Sequence, residues 1–169
     1  MDTNELVARQ APLKESYRTA PAAALVTLRA SGELDAGGVA CSVDVGRQLV
    51  EAGLHPATGG DGTLACSGDM LLQALVACAG VTLRSVAVNR GMDVSGTVSA
   101  EGVLDFRGTL GVDREAPVGF LDITLHFDLR TSATPEEVAG LLRSTERYCV
   151  VYQTLKAGSA VSVTSSVTA

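Results

Sequence analysis

The sequence predicts an α+β fold in which helices pack on an antiparallel β-sheet. Three features indicate this class: an almost entirely apolar run over residues 70–83, strict alternation of apolar and polar residues over 120–129, and a second helical pattern over 138–149. Each such element must bury its apolar face against another layer, and strands on both sides of a long helix favour α+β packing. The chain has 169 residues, 46% hydrophobic and 19% charged, which suffices for one domain with its own core.

The first part of the chain is predicted to hold an accessory arm followed by a strand pair. We expect residues 1–21 to form an N-terminal helical arm, interrupted by a proline, and residues 22–169 to form the main domain. Apolar residues cluster over 25–29 and alternate with small or polar residues over 39–45, and a glycine pair lies between these segments. This pattern is typical of two paired strands joined by a turn.

A third extended segment, residues 48–50, leads through a turn-rich passage at 59–62 to the central helix. We expect this helix to start at Ser67 or Asp69, because either side chain can accept hydrogen bonds from the free N–H groups of a first turn. It should end just before Gly91, since glycine readily adopts the left-handed conformation that terminates helices.

The central helix is apolar on all sides as far as Leu83, so it is predicted to be buried either in a protein core or in lipid. A bilayer span needs about 20 consecutive apolar residues, and Gln73 and Arg84 interrupt this one. Burial inside the protein, without a membrane, is therefore the prediction.

The second half of the chain is predicted to supply the cover for this helix. Alternating patterns predict strands over 93–104, 120–129 and 161–167, with a surface loop over 105–117. Residues 138–149 should form a helix, because the preceding threonine and proline are typical of a helix start.

Composition and charge exclude several classes of function. The net charge is −6 and the cations are not clustered, which disfavours a nucleic-acid partner; with three Phe, three Tyr and no Trp, few aromatic rings are present to stack bases. The acidic, polar N-terminus does not resemble a secretory signal, so a cytoplasmic location is predicted. In that compartment thiols are kept reduced, and the four irregularly spaced cysteines predict no disulfide framework.

Two cysteines occupy helical settings and are candidate reactive groups. Cys78 lies within the apolar helix, where a thiol is most often a small core residue, but Gly80 should leave room beside it and Thr82 places a hydroxyl on its helical face. Cys149 closes the later helix, where either Arg147 or a helix end could stabilise a thiolate; the alternative is a buried last-turn residue.

The other two cysteines have different predicted roles. Cys41 alternates with the valines of its strand and is interpreted as structural. Cys66 precedes the central helix, and because a helix N-terminus can lower the pKa of a thiol, it is a rival reactive site. A metal site is not predicted, since no Cys-x-x-Cys pair occurs and the two histidines, His55 and His126, are far apart in sequence.

Together these motifs resemble those of the OsmC/Ohr family. The resemblance is carried by Gly59-Gly60, the helix over 69–78, the Glu-Arg-Tyr-Cys segment over 146–149 and Thr154-Leu155, and it covers roughly residues 25–169. It implies antiparallel sheets wrapped around long buried central helices in an intertwined homodimer, with the active sites at the subunit interface.

The resemblance also implies an activity, that of a thiol peroxidase acting on organic hydroperoxides. By resemblance, Cys78 is the peroxidatic thiolate and Cys149 the resolving thiol. Peroxide would oxidise Cys78 to a sulfenic acid, Cys149 would capture it as a disulfide, and an external dithiol would reduce that disulfide. This chemistry needs no metal or other cofactor.

Family members stabilise the thiolate with an arginine from an early strand, held by a glutamate near the start of the central helix. Arg29 is the candidate for this arginine, with Arg47 in reserve. The family glutamate falls at Gly68, and Asp69 is the nearest carboxylate, so Asp69 is predicted to take the supporting role.

Further departures indicate a divergent branch: Ser67 and Val150 stand where the family usually has proline. Two other functions therefore stay open. One is a non-catalytic module that binds a lipid-like ligand at the dimer interface, which the missing glutamate at Gly68 suggests. The other is a redox sensor in which oxidation links Cys66 to Cys78.

Overall fold

The structure is a computed structural model that describes residues 19, 31–34, 40–44, 49–111 and 113–166. The predicted strand at 25–29 lies outside the described residues, as does the predicted arm apart from residue 19. Both stay predictions, and so does the domain boundary that follows the arm.

The first sheet contains four short strands in the order β1-β2-β3-β4. Pairing is antiparallel from β1 to β3, whereas β4 joins the edge of β3 in parallel. The strands predicted around residues 39–45 and 48–50 are thereby confirmed, and β4 is an addition that the sequence did not indicate. The four strands are β1 Ser31–Leu34, β2 Ala40–Asp44, β3 Leu49–Gly53 and β4 Ala65–Cys66.

A tight passage between β3 and β4 delivers the chain to the central helix. It contains a 3₁₀ turn, Pro56–Thr58, in which the ring nitrogen Nδ1 of His55 accepts a hydrogen bond from the Ala57 amide at 3.0 Å. Gly59 then adopts a left-handed φ of +94°, and a Cβ at Gly60 would collide with the carbonyl of Leu54. The predicted turn is confirmed, and its two glycines are required by geometry.

The central helix α1 spans Ser67–Asn89. Its N-cap is Cys66, which has extended backbone angles and makes no side-chain cap hydrogen bond. The predicted start at Ser67 is confirmed, but the capping role predicted for Ser67 or Asp69 is wrong, because both already lie within the first turn. The predicted end is confirmed, since Gly91 follows with a φ of +65°.

Only one face of α1 is buried within the chain. The buried residues recur every fourth position, at Leu75, Ala79, Leu83 and Ala87, and the last two join Val94 and Leu141 in the hydrophobic core. On the opposite side, the side chain of Val81 is 73% exposed. The helix predicted to be buried on all sides is thus covered on one side by a single copy of the chain.

By length and composition alone, α1 is also apolar enough to cross a membrane, with a mean hydropathy of 1.8 over 18 residues; no other described helix is. A core helix of a soluble protein meets the same criterion. Its buried face packs against the strand Val94–Leu104 and the helices Pro135–Tyr148 and Val150–Ala157.

The second sheet is a long antiparallel pair, β5 Val94–Leu104 and β6 Phe120–Thr131, which confirms both predicted strands. The ladder runs from Val94 opposite Thr131 to Leu104 opposite Phe120. The connection between the strands, predicted as a loop, includes one short helix, α2 Phe106–Thr109, whose Phe106 ring stacks on His55 at 5.0 Å.

Two consecutive helices complete the fold. Helix α3, Pro135–Tyr148, begins with a capping box in which Thr134 and Glu137 bond each other's backbone amides, as the predicted helix start requires. Helix α4, Val150–Ala157, follows after a single residue and was not predicted.

The final strand predicted over 161–167 is wrong for residues 161–166, which form no ladder with the described strands. The side chains of Val161 and Val163 are 87% and 92% exposed. An alternating pattern indicates a strand only where a sheet edge is available to pair with it, and none of the described edges lies alongside this segment.

Candidate active site

The candidate active site lies where the middle of α1 meets the junction of α3 and α4. Cys78 is half-buried and follows the buried Leu75 by one helical turn. It occupies the border between the packed face of α1 and the open face. A thiol at this border can contact α4 while remaining accessible to a small molecule.

Cys149 is the single residue that separates α3 from α4, and it is 1% exposed. Its amide completes α3 by donating to the carbonyl of Thr145 at 2.9 Å. Its sulfur caps α4 by accepting from the Tyr152 amide at 3.5 Å. Because its backbone is extended (φ −74°, ψ 108°), the chain changes direction here, and the first turn of α4 faces the two sulfurs.

The structure brings Cys78 and Cys149 close enough for each to shift the pKa of the other. Burial by itself raises the pKa of Cys78. Hydrogen bonds from the Val151 amide, the Cys149 thiol, the Val150 amide and the Thr82 hydroxyl outweigh this, so the pKa lies below its ordinary value. Cys78 is therefore the more acidic thiol of the pair.

The pKa of Cys149 is shifted in the opposite direction, above its ordinary value. Burial raises its pKa, the Tyr152 amide partly counteracts this, and the neighbouring Cys78 raises the pKa further. Cys149 therefore keeps its proton when Cys78 has lost its own. The site pairs a thiol of lowered pKa with a thiol of raised pKa, which is an arrangement suited to forming and then capturing an oxidised cysteine.

Two sequence predictions about the surroundings of Cys78 have different outcomes. Thr82 lies one helical turn from Cys78 on the same face, as predicted, and its hydroxyl lowers the pKa of the Cys78 thiol. Gly80 does not leave room beside Cys78, because it points toward β5, where an added Cβ would lie 3.9 Å from Val98. Two residues along a helix correspond to about 200° of rotation, which places Gly80 on the far side from Cys78.

The predicted cationic and acidic partners are not seen at the sulfurs. Arg29 and Arg47 lie outside the described residues, so their roles stay predictions. Asp69 is exposed in the first turn of α1, and nine residues of helix place it about 13.5 Å along the axis from Cys78 and on the opposite side. The structure does not bring Asp69 to the sulfurs. Gly68 faces the second sheet, where an added Cβ would lie 3.5 Å from the Phe120 ring.

Neither of the two elements predicted to stabilise a Cys149 thiolate prevails, because burial raises the pKa of Cys149 by more than the amides at the start of α4 lower it. Arg147 lies over the ring of Tyr148 at 5.8 Å and is not among the causes of the pKa shift of Cys149. The amides of α4 were missed by sequence reasoning because they belong to the backbone. The available signal was the short helical stretch between Cys149 and Gly158.

Cys66 is half-buried at the other end of α1. Twelve residues of helix separate it from Cys78, or about 18 Å along the axis, far beyond the reach of a disulfide. A Cys66–Cys78 bridge within one chain is therefore excluded while α1 is intact. The backbone of Cys41 pairs with Ala52 in β3, and its predicted structural role stays a prediction.

Within the described ranges, no three His, Cys, Asp or Glu side chains are grouped so as to hold a metal ion.

An apolar cleft of about 710 Å³ adjoins the site between β6 and the helices α3 and α4. At its polar rim, the Tyr152 hydroxyl lies 3.3 Å from Glu146 Oε2, and Lys156 Nζ lies 5.5 Å from the Tyr152 ring centre. Leu75 and Tyr152 link the cleft to the cysteine pair. The apolar lining includes Leu75, Phe120, Ile123, Phe127, Leu142 and Leu155.

Solved structures share this fold. An OsmC-like protein from Mycoplasma pneumoniae is 15% identical with a TM-score of 0.65, and the match covers 79% of this chain and 89% of that one. An organic hydroperoxide resistance protein from Elizabethkingia anophelis is 19% identical with a TM-score of 0.62, covering 79% and 91%. An organic hydroperoxide resistance protein OsmC from Legionella pneumophila is 16% identical with a TM-score of 0.56, also covering 79% and 91%.

At these identities the structural similarity establishes the α+β fold and not an activity. No curated protein matches the chain. The family model described as OsmC-like protein matches residues 60–164, which is more than half of the chain and includes both α1 and the α3–α4 junction. The chain therefore belongs to the OsmC-like protein family.

Proposed function

We propose that this protein is a thiol-dependent peroxidase that reduces organic hydroperoxides. The observation that carries the proposal is that two cysteines from distant parts of the chain meet, one with a lowered pKa and the other with a raised pKa. Either cysteine alone would be an ordinary buried residue, whereas the pair combines a more acidic thiol with one that holds its proton more tightly, as the reaction needs.

In the proposed reaction the Cys78 thiolate attacks the terminal oxygen of the hydroperoxide. A sulfur–oxygen bond forms, the peroxide bond breaks, and the alkoxide takes up a proton to leave as an alcohol. The sulfur of Cys149 then attacks the Cys78 sulfenic acid, releasing water and forming a disulfide. An external dithiol returns both cysteines to the reduced state, so electrons balance over the cycle.

The surroundings of the site favour an organic peroxide as the substrate. The cleft beside the site has a mainly apolar lining with a polar rim, and this lining includes Leu75, one helical turn from Cys78. Such a cleft gains free energy by removing a hydrocarbon group from water. Two of the structurally similar proteins are organic hydroperoxide resistance proteins, which is consistent with this class of substrate.

The proposed active form is a cytoplasmic homodimer. The open face of α1 carries Val81, which is 73% exposed, and Tyr148 beside it is 63% exposed. An apolar helix face of this kind is stabilised when a second copy covers it. Sedimentation analysis should find a dimer, and Val81→Glu should shift it toward monomer; a wild-type monomer would contradict this form.

The proposed activity is tested by mixing the purified protein with cumene hydroperoxide and dithiothreitol and following peroxide consumption. Wild type should turn over repeatedly, and Cys78→Ser should fall to the background rate because the nucleophile is absent. Cys66→Ser is the matched control, since its sulfur lies outside the site, and it should keep wild-type turnover. A Cys78→Ser variant with undiminished turnover would overturn the proposal.

A second candidate is a non-catalytic module that holds a lipid-like ligand. The size of the apolar cleft favours it, as does the exposed position of Asp69 away from the sulfurs. Native mass spectrometry of gently purified protein would support this function if a ligand co-purified and peroxide left every thiol free. Formation of the Cys78–Cys149 disulfide would reject it.

A further inference from the structure

The two helices that flank Cys149 are anchored to the rest of the protein to different degrees. At the end of α3, Leu141 and Thr145 lie on the same face as Cys149, and all three are at most 1% exposed. Helix α4 has no buried residue among its eight. Because Cys149 alone connects the two helices, α4 depends more than α3 on polar bonds across this junction for its position.

Two side chains of α4 reach back across the junction to one residue of α3. Gln153 Nε2 donates to the Glu146 carbonyl at 2.7 Å, and the Tyr152 hydroxyl donates to Glu146 Oε2 at 3.3 Å. Carbonyls in the last turn of a helix have no amide partner within the helix. Within the described part of the chain, no backbone amide beyond α3 donates to the Glu146 carbonyl, so Gln153 supplies its cap. We call Glu146, Tyr152 and Gln153 the helix clamp.

The bonds of Cys149 connect its sulfur to the same residues. Its amide donates to the Thr145 carbonyl of α3, and its carbonyl accepts from the Gln153 amide of α4, each at 2.9 Å. Its sulfur accepts from the Tyr152 amide at 3.5 Å. Tyr152 and Gln153 therefore hold Cys149 through their backbones and hold α3 through their side chains. A shift of α4 against α3 would change the direction in which the sulfur points.

We infer that the helix clamp positions the Cys149 sulfur for its reaction with Cys78, and that Gln153 is its principal positioning residue. The inference rests on the proposed function and adds residues that act on the reaction through Cys149. Holding a reacting group in one orientation raises its effective concentration toward its partner. The Gln153 bond is the shorter of the two side-chain bonds, so it should contribute more.

The inference is tested by the equilibrium between the cysteine pair and a glutathione buffer. Oxidised glutathione takes two electrons from the pair: one disulfide forms between Cys78 and Cys149, and two molecules of reduced glutathione are released. Free thiols are then blocked with iodoacetamide, and mass spectrometry measures the fraction of protein in which the two cysteine peptides are linked. This fraction gives the effective concentration of one thiol toward the other.

Gln153→Met removes the donor and keeps an unbranched, uncharged side chain of similar helix propensity. The effective concentration should fall roughly three- to tenfold, as expected for the loss of one hydrogen bond. Thr154→Val is the matched control, because it removes the hydroxyl of an exposed neighbour outside the clamp; it should keep the wild-type value. An equal or higher effective concentration in Gln153→Met would overturn the inference.

Rescue separates positioning from a general loss of stability. Gln153→Lys restores an N–H donor at this position and should recover most of the wild-type effective concentration. If Gln153→Lys is as impaired as Gln153→Met, the donor at residue 153 does not position Cys149.

Tyr152→Phe removes only the hydroxyl and should lower the effective concentration by less than Gln153→Met does. A larger decrease in Tyr152→Phe would overturn the principal role of Gln153. This variant also keeps the inference testable if Gln153→Met does not fold, because no decrease in Tyr152→Phe would then contradict the clamp.

The glutathione equilibrium uses no peroxide, so the two proposals fail separately. If the wild-type protein consumes no hydroperoxide but the variants rank as expected, the proposed function fails and the helix clamp stands. If peroxide is consumed and Gln153→Met keeps the wild-type effective concentration, the proposed function stands and the clamp fails.

Discussion

The chain contains two cysteines at helix N-termini, and their surroundings differ in an instructive way. Cys66 caps α1 without a side-chain hydrogen bond, whereas Cys149 caps α4 and its sulfur accepts from an amide of that helix. The decisive difference is a second sulfur: Cys78 lies beside Cys149, while α1 holds Cys66 about 18 Å from Cys78. Of these two helix starts, the start of α4 is the one that offers the pair of sulfurs needed by the proposed reaction.

The largest expected difference between the two helix starts concerns the turnover of hydroperoxide. Cys149→Ser should lower steady-state hydroperoxide reduction by ~100-fold with a dithiol that reduces only disulfides, because the Cys78 sulfenic acid then lacks its capturing thiol. The sulfenic acid should accumulate and react with dimedone, which mass spectrometry detects on the Cys78 peptide.

Cys66→Ser is the control variant at the start of α1. It should stay within about twofold of wild type, because its sulfur has no role in capture. Equal losses of turnover in Cys66→Ser and Cys149→Ser would show that the two helix starts are not functionally distinct.

A smaller effect is expected in the pH dependence of Cys78. Its hydrogen bonds favour the charged form and lower its pKa, so the thiolate persists as pH falls below the ordinary range of a thiol and is lost only below the lowered value. Cys149→Ala removes one donor and should shift the alkylation profile of Cys78 toward higher pH. A profile that shifts toward lower pH, or not at all, would remove Cys149 from the stabilising set.

The third prediction concerns stability at a distance from the sulfurs. Thr134→Ala removes the capping box at the start of α3 and should lower the free energy of unfolding by about 1 kcal/mol in urea denaturation. The other end of α3 supports Cys149, but a frayed first turn does not reach it. Alkylation of Cys78 should therefore keep its wild-type rate, and a slower rate would mean that the whole of α3 positions the site.

The smallest effect is expected from Asp69. Asp69→Asn removes a charge that lies on the far side of α1 from Cys78, so the alkylation rate of Cys78 should change by less than about twofold. A larger decrease would show that Asp69 acts on the thiolate through a partner outside the described residues, as the family resemblance predicts for Arg29.

Long elements could be predicted because their hydrophobic periods are unambiguous. The alternation along β6 and the mainly apolar run of α1 each extend over ten residues or more, which is long enough to distinguish a strand from a helix. The cap of α1 could not be predicted in the same way. Ser67 and Asp69 are both favourable cap residues, but the parallel pairing of β4 extends the chain through Cys66 and moves the helix start.

The site was only partly readable from the sequence. Thr82 follows from helical spacing, since four residues return to the same face. The proximity of Cys149 to Cys78 depends on how α3 and α4 pack on α1, and no local pattern encodes it. The amide donors carry no sequence signature, because any residue except proline at position 150 supplies one.

The most direct test of the account is disulfide mapping after one equivalent of cumene hydroperoxide is added to the reduced protein. The account predicts a peptide pair linked through Cys78 and Cys149, with Cys66 still free. A bridge that contains Cys66, or oxidation that leaves Cys149 as a free thiol, would contradict it.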